Sequence, residues 1–143
     1  MTRGAIIVLA ILSAIPAAAR DGSAHKAYIL RCAGCHGMTG EGTIPGGVPA
    51  FPGSIGAIAR NETGRTYMLH VPGVGSASLD DAEIAGVMNY ILDAWSDGTA
   101  PPFTASEVAR RRAEPVADVV AERRDLVREL RSEGIAIAEY PWP

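Results

Sequence analysis

Cysteine is nearly absent from this chain: its 143 residues contain two, together with three histidines. Two cysteines cannot build the multi-bridge framework that staples small secreted domains. With no second cysteine pair, a four-ligand structural zinc site is poorly served too. Basic charge is not in excess: 13 Lys and Arg face 16 Asp and Glu, a formal net charge of −3, so nucleic acid finds no electrostatic footprint. After residue 19 there is no long apolar run, and a membrane span of about twenty residues has nowhere to lie. Internal repeats are missing as well.

What is present begins with an export signal. Met1-Thr2-Arg3-Gly4 gives a positive start, and Ala5 through Ile15 is an apolar run. Pro16 then precedes Ala17-Ala18-Ala19, the small-residue pattern after which a signal peptidase cuts. No arginine pair marks the twin-arginine route, so the general export route is favoured. Residues 1–19 are therefore expected to be a cleaved signal peptide, with a soluble mature protein delivered to the periplasm. Twelve basic and sixteen acidic residues remain after cleavage, a net −4. The remaining length suits one modest domain.

All of the thiol chemistry falls in one tetrapeptide. Cys32 and Cys35 stand two residues apart, with His36 directly behind. A disulfide here would close a very small loop and remove little unfolded-chain entropy. A thioredoxin-like dithiol wants a buried strand in front of it. "DGSAHKAYILR" instead reads as a short helix, with Ser23 a plausible cap. Cys-x-x-Cys-His is the attachment pattern of c-type haem. Its spacing lets both thiols add to the two vinyl groups of the porphyrin while the adjacent imidazole reaches the iron. Cys32 and Cys35 are thus the expected thioether positions and His36 the proximal iron ligand.

With these residues the sequence resembles the class I, mono-haem cytochrome c family, from about Ser23 to about Trp95. The resemblance rests on a short helix ending in Cys32-Ala33-Gly34-Cys35-His36, a glycine- and proline-rich middle, and an amphipathic final helix. It implies a small all-α fold wrapped around one covalent haem c, over residues 20–97. It also implies that the last helix crosses the first through an aromatic contact, for which Tyr28 and Tyr90 are the candidates.

The body of the chain agrees. Between Gly37 and Gly56, prolines 45, 49 and 52 and dense glycine nearly exclude regular structure. Ile44, Val48, Phe51 and Ile55 are interleaved there, as apolar walls for a flat cofactor would be. "SIGAIARNETGRTYML" reads as a helical turn followed by an extended piece. In "SLDDAEIAGVMNYILDAW", Ile84, Val87, Met88, Ile91, Leu92 and Trp95 fall on one face of a helix. Ser78 can cap it, and Met88 reads as core. After Asp97, "DGTAPPF" is a hinge, and residues 98–143 form a helical extension with seven basic and eight acidic residues. Thr104 and Glu107 make a capping box, and Pro115 starts a second helix. Its stripe of Val116, Val119, Val120, Val127 and Leu130 is expected to pack the arm on the haem domain, unless Arg110, Arg111 and Arg112 dock a partner instead.

The sixth iron ligand departs from the family pattern. The resemblance implies a methionine in the loop before the last helix, and "VPGVGSASLD" has none. Pro72 favours an extended Val71. If that conformation continues backwards, Met68 and His70 project on one side. His70 is the first candidate, Met68 the second, and an open position the third. Met38 is badly placed to reach the opposite face, and His25 belongs on the surface. With both axial positions filled, the protein carries single electrons from a periplasmic dehydrogenase towards an oxidase and is not an enzyme. An open position would suit gas binding or peroxidase-like chemistry, with His70 and Arg65 as the polar groups at hand.

Overall fold

The structure, a computed structural model, describes residues 17–140, with side chains from residue 22 onward. Most of the expected signal peptide lies outside the described residues. These contain eight helices and no strand: α1 (Ala17–Arg31), α2 (Ala33–His36), α3 (Ile55–Arg60), α4 (Glu62–His70), α5 (Pro72–Gly75), α6 (Asp81–Trp95), α7 (Ala105–Arg112) and α8 (Val119–Ser132). The all-α expectation is met.

The central contact is α1 crossing α6. Gly86 of α6 has only Ala24 above it, and a side chain there would come within 3.8 Å of the alanine methyl. Tyr28 is fully buried in the crossing, 5.4 Å from Tyr90 and 5.2 Å from Trp95 between ring centres. On α6, Ile84, Val87, Met88, Ile91 and Leu92 are all buried, as the periodicity requires. The cap differs from expectation. Asp80 accepts from the Glu83 N–H while the Glu83 carboxylate accepts from the Asp80 N–H, a reciprocal capping box. Ser78 lies two residues outside, with φ of 54°. Ser23 is likewise not a cap, because α1 begins upstream and encloses it.

Residues 37–54 hold no helix, only turns and an isolated bridge between Thr43 and Val48. Gly40 shows why glycine is needed in this segment. Its φ is +70°, and a β-carbon would stand 3.0 Å from the Trp95 ring.

The largest correction concerns residues 62–70, which form helix α4 rather than an extended piece. Asn61 caps it by accepting from the Gly64 N–H. Gly64 lets α4 press against α3, since a β-carbon there would meet the Ile58 carbonyl oxygen at 2.1 Å. Val71 is extended, with φ −59° and ψ 140°, as a residue before proline should be. That conformation does not propagate backwards.

The tail lies against the rest: α7 packs on α6 and α4, and α8 packs on α4. Its buried positions match the expected stripe only in part. Leu130 is buried and Val119 packs half-buried against the core, but Val120 is exposed, and the other buried positions on α8, Arg123 and Leu126, lie outside the stripe. Hydrophobic patterning takes valine and leucine as apolar and arginine as solvated, and Arg123 inverts that rule.

Candidate functional site

One cavity, about 460 Å³, is bordered by α2, the 46–55 segment, α4, α6 and α8. Its position follows from local structure. The end of α1 runs almost without break into α2, because the Cys32 N–H donates to the Tyr28 carbonyl at 2.8 Å and the His36 N–H to the Cys32 carbonyl at 3.0 Å. This single helical turn puts Cys32, Cys35 and His36 together on the cavity wall. The loop then folds over them. Gly42 donates to the His36 carbonyl at 2.9 Å, Thr43 Oγ1 to the Cys35 carbonyl at 3.2 Å, and the Tyr28 hydroxyl to the Gly37 carbonyl at 2.5 Å.

Both cysteines are free thiols. Burial, with Cys35 adding to it, raises the pKa of the Cys32 thiol above its ordinary value. His36 stacks on Phe51, ring centres 4.2 Å apart. Burial pushes the imidazole pKa down to about 4, so at neutral pH it carries a free lone pair. Its Nδ1 is buried without a hydrogen-bond partner among the described residues.

The remaining walls are mostly apolar, with Val48, Phe51, Ile55, Val87 and Ile91 among them. Ile44, expected as a fourth loop contributor, is 75 % exposed and lies elsewhere. Met88 is buried as expected of a core residue, and it also faces the cavity.

Met68 and His70 part company. In a helix, successive side chains are about 100° apart, so residues two apart point to nearly opposite sides. Met68, 5 % exposed, lines the cavity, and His70 does not. The His70 ring sits between two backbone carbonyls, Nδ1 2.9 Å from Thr66 O and Nε2 2.9 Å from Glu114 O. Arg65 is also engaged elsewhere. Its guanidinium pairs with Glu107 at 2.7 Å and donates to the carbonyls of Ala59 and Pro101 at 2.9 Å. Met38 is exposed and outside the cavity, and His25 is exposed with its ring against Tyr90.

The sequence reading missed Ser54, Tyr67, Arg123 and Tyr140, which also border the cavity. One available signal was the spacing of Val119, Arg123, Leu126 and Leu130, which puts an arginine on the apolar side of α8.

The donor set fits a haem. Two thiols and a neutral imidazole come from one helical turn, and a buried thioether comes from α4. Between them lies an apolar cavity with His36 on its wall. Among the described residues, no three His, Cys, Asp or Glu side chains gather to hold a metal ion by themselves. No helix there is long and apolar enough to cross a membrane.

No protein-family model matches the chain, and no solved structure does. Two curated relatives, both from Thermus thermophilus, are similar to it. One cytochrome c-552 is 36 % identical, over 85 % of this chain and 95 % of the relative. A second cytochrome c-552 is 38 % identical, over 67 % of this chain and 91 % of the relative. A match over 85 % of the chain necessarily extends into the segment after residue 97.

Proposed function

The chain belongs to the mono-haem class I cytochrome c family, a c-type electron carrier with one covalent haem c, and from that premise we propose how its residues serve the task. When bound, the haem supplies a one-electron couple between ferric and ferrous iron. Cys32 and Cys35 hold it through thioether bonds, so it cannot dissociate. His36 gives the proximal ligand, and its depressed pKa keeps the lone pair available at neutral pH. The apolar walls exclude water, which favours reduction potentials above those of a solvated site.

Met68, rather than His70, supplies the sixth ligand. The observation that carries this reading is the placement of the Met68 side chain on the cavity wall while both His70 ring nitrogens lie against carbonyls. The same placement, with Arg65 committed to Glu107, weighs against peroxidase-like chemistry, which would have drawn on these two residues. The carrier works in the periplasm, delivered there by residues 1–19, and exchanges electrons with a dehydrogenase and an oxidase-type acceptor. Residues 20–97 form the haem domain and 98–143 its extension.

Optical spectra of the purified protein in both redox states test this. Haem should remain with the chain through acid–acetone extraction. The ferric form should be low-spin, with the weak far-red band of sulfur–iron ligation. Met68→Ala should give high-spin iron that binds carbon monoxide readily, and His70→Ala should leave the spectrum low-spin. Extractable haem would end the covalent reading. Wild-type protein that is already high-spin and takes up carbon monoxide quickly would turn the proposal towards gas binding.

A further inference from the structure

Three arginine side chains are buried among the described residues: Arg65, Arg111 and Arg123. Arg65 and Arg111 share the Glu107 carboxylate, and Arg111 also holds Glu62. Arg123 is 3 % exposed and has no carboxylate partner among the described residues. Its guanidinium reaches the Ala138 carbonyl and, at 3.4 Å, the Tyr67 hydroxyl. The rings of Tyr140 and Tyr67 flank it, at 4.8 and 5.5 Å. Its Nε is buried with no partner among the described residues. A guanidinium taken out of water without a counter-ion is strongly unfavourable, and so is a buried donor left unmet.

The cavity explains the omission. Arg123 lines it, and beyond the Cys-x-x-Cys-His residues the other ionisable groups there are Arg31, Tyr67 and Tyr140. None is a carboxylate, so among the described residues the walls carry positive charge with nothing to balance it. Glu139 borders a second, open pocket with Arg123 but pairs with Arg131, and the charges that act on the Glu122 carboxyl are those of His70, Glu114 and Asp125. Burial and the hydrogen bond with Tyr67 push the Tyr140 hydroxyl pKa well above its ordinary value, so it stays a neutral group. Arg124, next along α8, is exposed.

We infer that Arg123 is the counter-ion of a haem carboxylate, so that α8, an element of the C-terminal tail, completes the cofactor site. This rests on the haem reading above and adds to it a role for the tail. The two propionates are the anionic groups that the cofactor brings, and a planar guanidinium suits a carboxylate better than any other side chain does. Arg123 is then a positioning residue with an electrostatic effect. It offsets a negative charge near the iron that would otherwise stabilise the ferric form, and so it raises the reduction potential.

The test uses the purified holoprotein, with redox titrations from pH 5 to 8 of wild type, Arg123→Met and Arg123→Lys. Arg123→Met should show a lower potential at pH 7 that climbs as pH falls and the unpaired carboxylate takes up a proton. Arg123→Lys should restore most of the loss, and wild type should stay flat across the range. Equal shifts in both variants, or no shift in Arg123→Met, would overturn the inference. If neither variant accumulates, wild type alone decides: a flat profile supports the pairing and a one-proton slope overturns it. Haem staining of denatured wild type separates the two levels. Unstained protein overturns the haem reading and this one with it, whereas stained protein with unchanged potentials overturns only the role of Arg123.

Discussion

The two tail helices, α7 and α8, both pack on α4, and they do so in opposite ways. α7 arrives with a closed set of charges. Glu107 accepts from Arg65 at 2.7 Å and from Arg111 at 2.8 Å, and Arg111 reaches back to Glu62 at 2.6 Å. The Arg65 guanidinium also covers the Phe103 ring at 3.8 Å, and Val108 is fully buried beside them. α8 arrives with Leu126 and Leu130, both buried, and with one arginine whose charge opens onto the cavity. Charges that satisfy one another fix the position of a helix and need nothing further. A buried charge left open marks the place where something else belongs.

The sharpest way to break this contrast is at Glu107. Glu107→Gln removes the carboxylate that two buried guanidiniums share, and stability should fall by about 3–5 kcal/mol, read from thermal or denaturant unfolding of the holoprotein. A loss below about 1 kcal/mol would mean that the network does not dock α7. The pH dependence sharpens the point. Hydrogen bonding from Arg65, followed by that from Arg111, lowers the Glu107 pKa from 4.5 to about 2, against the opposing effect of burial. The unfolded state therefore binds the proton more readily, and the contribution of Glu107 is fully present above pH 4.5. It should drain away as pH falls from 4.5 through about 2. The Gln variant should lack this component of the acid transition, and an unchanged acid limb in the variant would count against the pairing.

On α8 the corresponding break is Leu126→Ala. The residue is fully buried, and truncation leaves a cavity, so the loss should be about 3 kcal/mol. The consequence should reach the haem as well, because α8 carries Arg123. We expect Leu126→Ala to lower the reduction potential in the same direction as Arg123→Met and by less. A destabilised variant with an unshifted potential would separate packing of the tail from the cofactor. No equivalent coupling is expected for Glu107→Gln, since α7 contributes nothing to the cavity wall.

The same contrast explains what could be read from the sequence. The haem motif was legible because the chemistry is local: two thiols and an imidazole on one helical turn need no tertiary information. Helix α6 was legible because Ile84, Val87, Met88, Ile91 and Leu92 repeat with the helical period. Helix α4 was not, because its buried face includes Gly64, Arg65 and Thr66 alongside Tyr67, Met68 and Leu69, so no apolar stripe stands out. Pro72 suggests an extended approach that in fact reaches only Val71. An extended segment would put Met68 and His70 on one side, and the helix instead sends them apart. Arg111 and Arg123 were hidden for a related reason. Hydrophobic periodicity counts arginine as solvent-facing, and both are buried by contacts from elsewhere: Glu62 and Thr66 on α4 for Arg111, Tyr67 and the Ala138 carbonyl for Arg123.

The smallest expected effect comes from the ion pair that most resembles the Glu107 network on paper. Arg112, also on α7, pairs with Asp81 of α6 at 2.6 Å, closer than either contact to Glu107. Its two side chains are, however, 36 % and 37 % exposed. Water solvates both partners when the pair is broken, and little desolvation penalty is left behind, so distance alone is a poor guide. A double-mutant cycle of Arg112→Gln and Asp81→Asn should give a coupling of about 0.5 kcal/mol or less, falling further as salt is added. Glu107→Gln should keep most of its effect in the same salt series, because its partners are shielded from solvent. A coupling for Arg112 and Asp81 as large as the Glu107 loss would mean that burial is not what separates the two, and the distinction between closed and open charge would have to be drawn elsewhere.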